Sequence, residues 1–145
     1  MIEQATETAL KTAITAGLTA DGITASIRAF FIDDEASDHR EDLIYPMVGI
    51  VASPATPQPA DSYQSTFMDV PCTVVCATHA EDDPKRTNLW SLYASVRKAL
   101  DRTALVISGA NFSGTIITGG NTGMDGNEQT VEINVTVRTC GYAYS

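Results

Sequence analysis

Near the C-terminus, Val131, Ile133, Val135 and Val137 alternate with Glu132, Asn134, Thr136 and Arg138, a pattern that leaves few architectures open. Successive side chains of an extended strand point to opposite faces. This segment therefore has one dry and one wet face, as in an antiparallel sheet packed on one side. The same period governs residues 23–31: Ile23, Ala25, Ile27, Ala29 and Phe31 fall on one side, Thr24, Ser26 and Arg28 on the other, after a turn at Asp21-Gly22. Tyr45 to Ala52, rich in Val and Ile, reads as a second strand. Residues 65–79 read as a third. There Val70, Cys72, Val74 and Cys76 share one face and Pro71, Thr73, Val75 and Ala77 the other, so the strand is expected to be covered on both sides, by helices or by another subunit. Short strands are expected at Ala104–Ile107 and Ser113–Thr118. Four glycines in the nine residues Gly119–Asn127 predict a mobile connection.

Two segments carry helical spacing. Residues 2–16 combine good helix formers with a narrow stripe of Ile2, Ala5, Ala9, Ala13 and Ile14. Glu3 and Glu7 suit the positive end of the dipole, and Gly17 is placed to end the helix. So thin a stripe needs a sheet or a neighbouring subunit to hold it. Residues 84–100 form the second helix. Asp83 is its cap and Pro84 its first residue, with a core stripe of Leu89, Leu92, Tyr93, Val96 and Leu100. Arg97, Lys98 and Arg102 complement its C-terminal end. The order of elements predicts an α+β fold: a single, mostly antiparallel sheet with both helices packed on one face, residues 1–145 forming one domain.

Three surface segments interrupt this frame. Asp33, Asp34, Glu35, Asp38, Glu41 and Asp42 crowd six acids into ten residues, with only His39 and Arg40 beside them; such a run stays solvated. The stretch 53–62 carries Pro54, Pro57 and Pro59, with Tyr63 just beyond, and reads as a surface loop. The glycine-rich segment presents Asn121, Met124 and Asp125.

A formal charge of −9 and a pI near 4.4 argue against a protein that grips nucleic acid, because that affinity comes from Lys and Arg neutralising phosphates. No apolar run reaches the roughly 20 residues of a membrane span. The N-terminus lacks a secretory pattern, so a cytosolic site of synthesis with reduced cysteines is expected. Cys72, Cys76, His79 and Cys140 do not have zinc spacing: residues four apart in a strand lie roughly 13 Å from each other, far more than a shared metal allows. The acids at 33–42 lack the spacing of a calcium loop. His39 and His79 sit in no recognisable nucleophile or metalloprotease motif. A small hydrolase using His39 or His79 with nearby acids is one alternative reading, and an adaptor that adds a strand to a sheet edge is another.

The layout as a whole resembles the tail terminator (tail-completion) proteins of long-tailed bacteriophages. The likeness rests on the helix Ile2–Ala16, the strand Ile23–Ile32, and the long loop into Tyr45–Ala52. It continues with the strand ending Cys72 to His79, the helix opening at Asp83-Pro84, and the strands closing at Cys140. The resemblance implies a structural virion protein, without catalytic residue, metal or cofactor. It would assemble in the host cytoplasm into a homohexameric ring that caps the tail tube at its head-proximal end. Its partners would be other copies of itself, the tail tube protein and a head–tail connector or neck protein; other neck, connector or tail tube proteins are the nearby alternatives. Genomic DNA would pass through without specific binding, and no membrane is involved. Under that reading the loop residues named above are candidate assembly surfaces, and Ile2, Ala9, Ala13 and Trp90 are candidate subunit contacts.

Overall fold

The computed structural model describes residues 1–29, 44–57 and 67–141. Along the chain run α1 (Ile2–Ala20), β1 (Ser26–Ala29), β2 (Met47–Ala52), β3 (Thr56–Pro57), β4 (Met68–His79), α2 (Thr87–Arg102), β5 (Asn111–Asp125) and β6 (Glu128–Cys140). Five strands lie in the order β1-β2-β4-β6-β5, and the two-residue β3 pairs with the start of β4. β1 runs parallel to β2, and every other described pairing is antiparallel. The fold is α+β with a mixed, open sheet, as the alternating segments predict.

Register places the apolar rows in line across the sheet. Val48, Cys76 and Val131 are neighbours, as are Ile50, Val74 and Ile133, and Ala52, Cys72 and Val135. All are buried, together with Ile2, Leu10, Ile14 and Leu18 of α1 and Leu89, Leu92, Val96 and Leu100 of α2, in one hydrophobic cluster. Neither helix covers the opposite face, where Gly49, Pro71, Thr73 and Val75 are half-buried and Val51 is exposed, so among the described residues the helices cover β4 on one side only.

α1 passes its predicted end. Gly17 sits inside the helix, which closes at Asp21 instead: Ile23 N donates to Leu18 O and Gly22 N to Thr19 O, with Gly22 in the left-handed region at φ +70°. These are the two hydrogen bonds of a Schellman closure. Five threonines of α1 (Thr6, Thr8, Thr12, Thr15 and Thr19) donate their hydroxyls to the carbonyl four residues earlier, which satisfies them without leaving the helix.

The C-terminal third departs furthest from expectation. Residues 104–107 pair with no described strand, although Leu105 and Ile107 are buried and Val106 is 90% exposed. The glycine-rich segment is strand, not connection. β5 runs on through Gly119, Gly120 and Gly123 to Asp125, paired with β6 along its length, and only Gly126-Asn127 turns. Asn121, Met124 and Asp125 are therefore strand residues.

Candidate assembly surface

Asp83 organises the approach to α2. Its carboxylate accepts the amides of Asn88 (3.0 Å) and Leu89 (2.9 Å) and the Thr78 hydroxyl (3.2 Å). It caps the helix as the sequence predicts, but from the turn before it: residues 84–86 are looped out, and Arg86, at φ 59°, holds the cap position in the backbone. Burial works against the Asp83 charge. The donated hydrogen bonds from Asn88, Leu89, Thr78 and Thr87 prevail, and its pKa lies below the usual carboxylate value. Gln129 Nε2 donates to the Asp83 carbonyl (2.9 Å) and its Oε1 accepts from Arg86 Nε (2.8 Å), which fixes the start of α2 against β6. At the other end of the helix, Asp21 accepts from Lys98 Nζ (2.7 Å) and Ser95 Oγ (2.6 Å), and these bonds, Lys98 first, lower its pKa.

A helix so fixed leaves one flank uncovered. Between α2 and the far half of β5 runs a groove made of two hollows of about 430 and 320 Å³ that share Trp90, Thr122 and Val131. Trp90 is 47% exposed and meets Tyr93 edge-on at 5.6 Å between centroids. Arg97 donates to the Tyr93 hydroxyl (3.1 Å) and pairs with Asp101 at 3.7 Å, which extends the wall by another turn. The facing wall is Gly119–Met124, backbone and small side chains, with Met124 57% exposed at its end. A break in register between Ile117 and Gly119 redirects the strand there. Gly120 lies so close to β6 that a Cβ would stand 2.1 Å from the Glu132 carbonyl oxygen.

The predicted site residues separate into four groups. Trp90, Asn121 and Met124 meet at this groove or its rim, with Asp125 exposed just beyond. Ile2, Ala9 and Ala13, expected at a subunit contact, are buried in the chain's own core, where α1 finds its cover on the sheet. Pro54 is exposed after β2, and Pro57 belongs to β3. Asp33, Asp34, Glu35, Asp38, His39, Arg40, Glu41, Asp42, Pro59 and Tyr63 lie outside the described residues.

His79 ends β4 opposite Glu128. Its Nδ1 accepts the Glu81 amide (3.3 Å), and its ring lies 5.8 Å from that of Tyr45, whose hydroxyl donates to the Glu128 carboxylate. That hydrogen bond, then burial, then the Glu128 and Asp125 charges push the Tyr45 hydroxyl up to about 12. None of the hollows described here is lined by His79. Among the described residues no three His, Cys, Asp or Glu side chains are grouped to hold a metal ion, and no helix is long and apolar enough to cross a membrane.

Sequence reasoning missed Glu7. Read from the pattern only as a match to the positive end of the helix dipole, it is fully buried, and its Oε2 accepts the Ala52 amide at 2.9 Å, while Glu3 Oε1 accepts that of Ala55 at 3.3 Å. Only its position between Thr6 and Ala9, both core-facing, hinted at this.

No protein-family model matches the chain, and no curated protein matches it in sequence. Among solved structures it is similar to a chain of the virion of a native gene transfer agent particle, with a TM-score of 0.60 at 15% identity over 92% of this chain and 96% of that one. It is also similar, at a TM-score of 0.41 and 17% identity over 96% and 94% of the two chains, to the bacteriophage SPP1 gp17 protein, a likeness too loose to argue from. The first comparison establishes a shared fold over nearly the whole length of both chains.

Proposed function

We propose that this chain is a structural subunit of a phage-type particle: a tail terminator that closes the finished tail tube as a ring and offers the attachment surface for the head or neck. The observation that carries this reading is the end-to-end correspondence of its fold with a chain of a gene transfer agent virion. Fold alone does not fix function, but two properties of this chain agree with the reading. The groove beside α2 is open and has an aromatic wall, suited to another protein surface. The chain's net charge of −9 would keep DNA moving through a lumen rather than holding it. The chain acts as one domain without catalytic residue or cofactor, and its place is the head-proximal end of the tail.

The hydrolase alternative requires a free carboxylate beside His79, and the nearest cross-strand carboxylate, Glu128, is engaged by Tyr45. Negative-stain microscopy of the protein mixed with purified tail tubes tests the proposal. Rings, or caps on one end of each tube, are the expected outcome. Binding along the tube sides, or none at saturating protein, overturns it.

A further inference from the structure

Residues 104–107, which follow α2, have the pattern of a strand and none of its pairing. Exposure alternates over five positions. Ala104 and Ser108 are exposed and Val106 is 90% exposed, whereas Leu105 and Ile107 are buried in the hydrophobic cluster, at 6% and 5%. Thr103, just before, has extended dihedrals (φ −101°, ψ 124°). This is the period of an extended chain laid on a core. Its backbone is left over. Among the described residues the amides of 104–107 donate no hydrogen bond, and of their carbonyls only that of Ile107 accepts one, from the Ala110 amide at 3.3 Å.

The devices that keep an edge from pairing are missing here. Lysine, proline or a bulge blunts most native edges. β5 has its two register breaks, whereas residues 103–110 include no charged residue and no proline. The two apolar anchors also fix the segment, because turning Val106 inward would expose Leu105 and Ile107. At its start a hollow of about 270 Å³ is lined by Arg102, Ala104, Phe112 and Thr115. Arg102 is exposed and makes no ion pair or side-chain hydrogen bond among the described residues. Thr115 Oγ1 is buried without a hydrogen-bond partner. A guanidinium and an unpaired hydroxyl in one hollow match a carboxylate.

We infer that residues 104–107 take up, as an added strand, an extended segment of the protein presented at the end of the tail tube. The main chain of that segment pairs with theirs, an apolar side chain covers Val106, and a carboxylate enters the hollow beside Arg102. This rests on the tail-capping reading, and it adds which surface makes the contact and in which backbone conformation. A second copy is the poorer occupant. Pairing of residues 104–107 with the same segment of another copy is a two-fold contact, which yields pairs rather than a ring, and two chains of net charge −9 repel each other on approach.

Amide hydrogen exchange of the natural chain, alone and mixed with purified tail tubes, tests this together with three variants. On capped tubes the amides of residues 104–107 should gain protection. Val106→Lys should leave the melting temperature unchanged, since the side chain stands in solvent. It should nevertheless cap tubes roughly tenfold or more weakly, because a charge then sits at the centre of the contact. Val106→Thr, also β-branched, should cap nearly as the natural chain does. Arg102→Glu should weaken capping, and more at low salt than at high. Capped tubes without new protection at residues 104–107, or undiminished capping by Val106→Lys, overturn the added strand and leave the capping reading intact. Undiminished capping by Arg102→Glu overturns the acidic partner. Protection that grows with the concentration of the chain alone makes a second copy the occupant and likewise overturns the inference. Tubes that the natural chain leaves uncapped defeat the capping reading and this contact together.

Discussion

Asp83 is 4% exposed and serves two amides of α2 and a β4 hydroxyl at once, so its removal orphans several donors in one step. Asp83→Ala should cost about 1–3 kcal/mol in urea unfolding at neutral pH, the range for lost caps and unsatisfied buried groups. Because the folded carboxyl lies below its ordinary value near 3.8, the stability it adds is complete above that value and is lost as pH falls through the depressed one. Asp83→Asn should therefore lose less than the natural chain between neutral pH and strong acid. The cysteines make a second residue-scale case. Burial, and for Cys72 the Glu7 charge after it, pushes the Cys72 and Cys76 thiols up to about 12, whereas Cys140 is half-buried. Thiolate is the reactive form. A thiol reagent should thus titrate one cysteine, Cys140, in the native protein and three after denaturation; fast native labelling of two or three would contradict the buried placement.

At the scale of elements, glycine decides how closely the parts approach. A Cβ on Gly17 would stand 2.9 Å from the Ala99 Cβ, so α1 and α2 cross where only one of them carries a side chain. Two effects oppose each other in Gly17→Ala: a gain of about 1 kcal/mol in helix propensity and an overpacking cost of about 1–3 kcal/mol. The contact involves a rigid methyl, so the cost should win and the melting temperature should fall. With Ala99→Gly present, the same substitution should become neutral or stabilising, a sign reversal that a double-mutant cycle reads directly. This also explains what the sequence disclosed. Val131–Val137, Val70–Cys76 and the Leu89–Leu100 stripe were legible because burial follows period. Gly17 and Gly119–Gly123 were misread because glycine serves equally to end an element and to let two backbones meet, and only tertiary contact tells which. Trp90, Asn121 and Met124 could be singled out in the sequence, but not that they face one another: Gly119–Met124 becomes a wall only once β5 is seen to run on along β6.

For the whole molecule, the question is which surfaces remain for assembly once the core is closed. Among the described residues the sheet ends in β1 on one side and β5 on the other, and open edges invite further strands. β5 is poorly shaped for that. It breaks register twice, between Phe112 and Gly114 and between Ile117 and Gly119, and such irregularities twist an edge away from a partner. The groove beside α2 has the opposite character, with exposed aromatic surface on a helix anchored at Asp83 and Asp21. Copies of the chain are therefore expected to meet through side chains at that groove rather than by extending the sheet. Amide hydrogen exchange distinguishes the two routes. On association, the outward-pointing amides of β5 should keep the exchange rates of the free chain, while Trp90 fluorescence shifts as the indole loses water. Strong new protection along β5 with an unchanged Trp90 signal would mean that the sheet edge, and not the helix flank, is where the copies join.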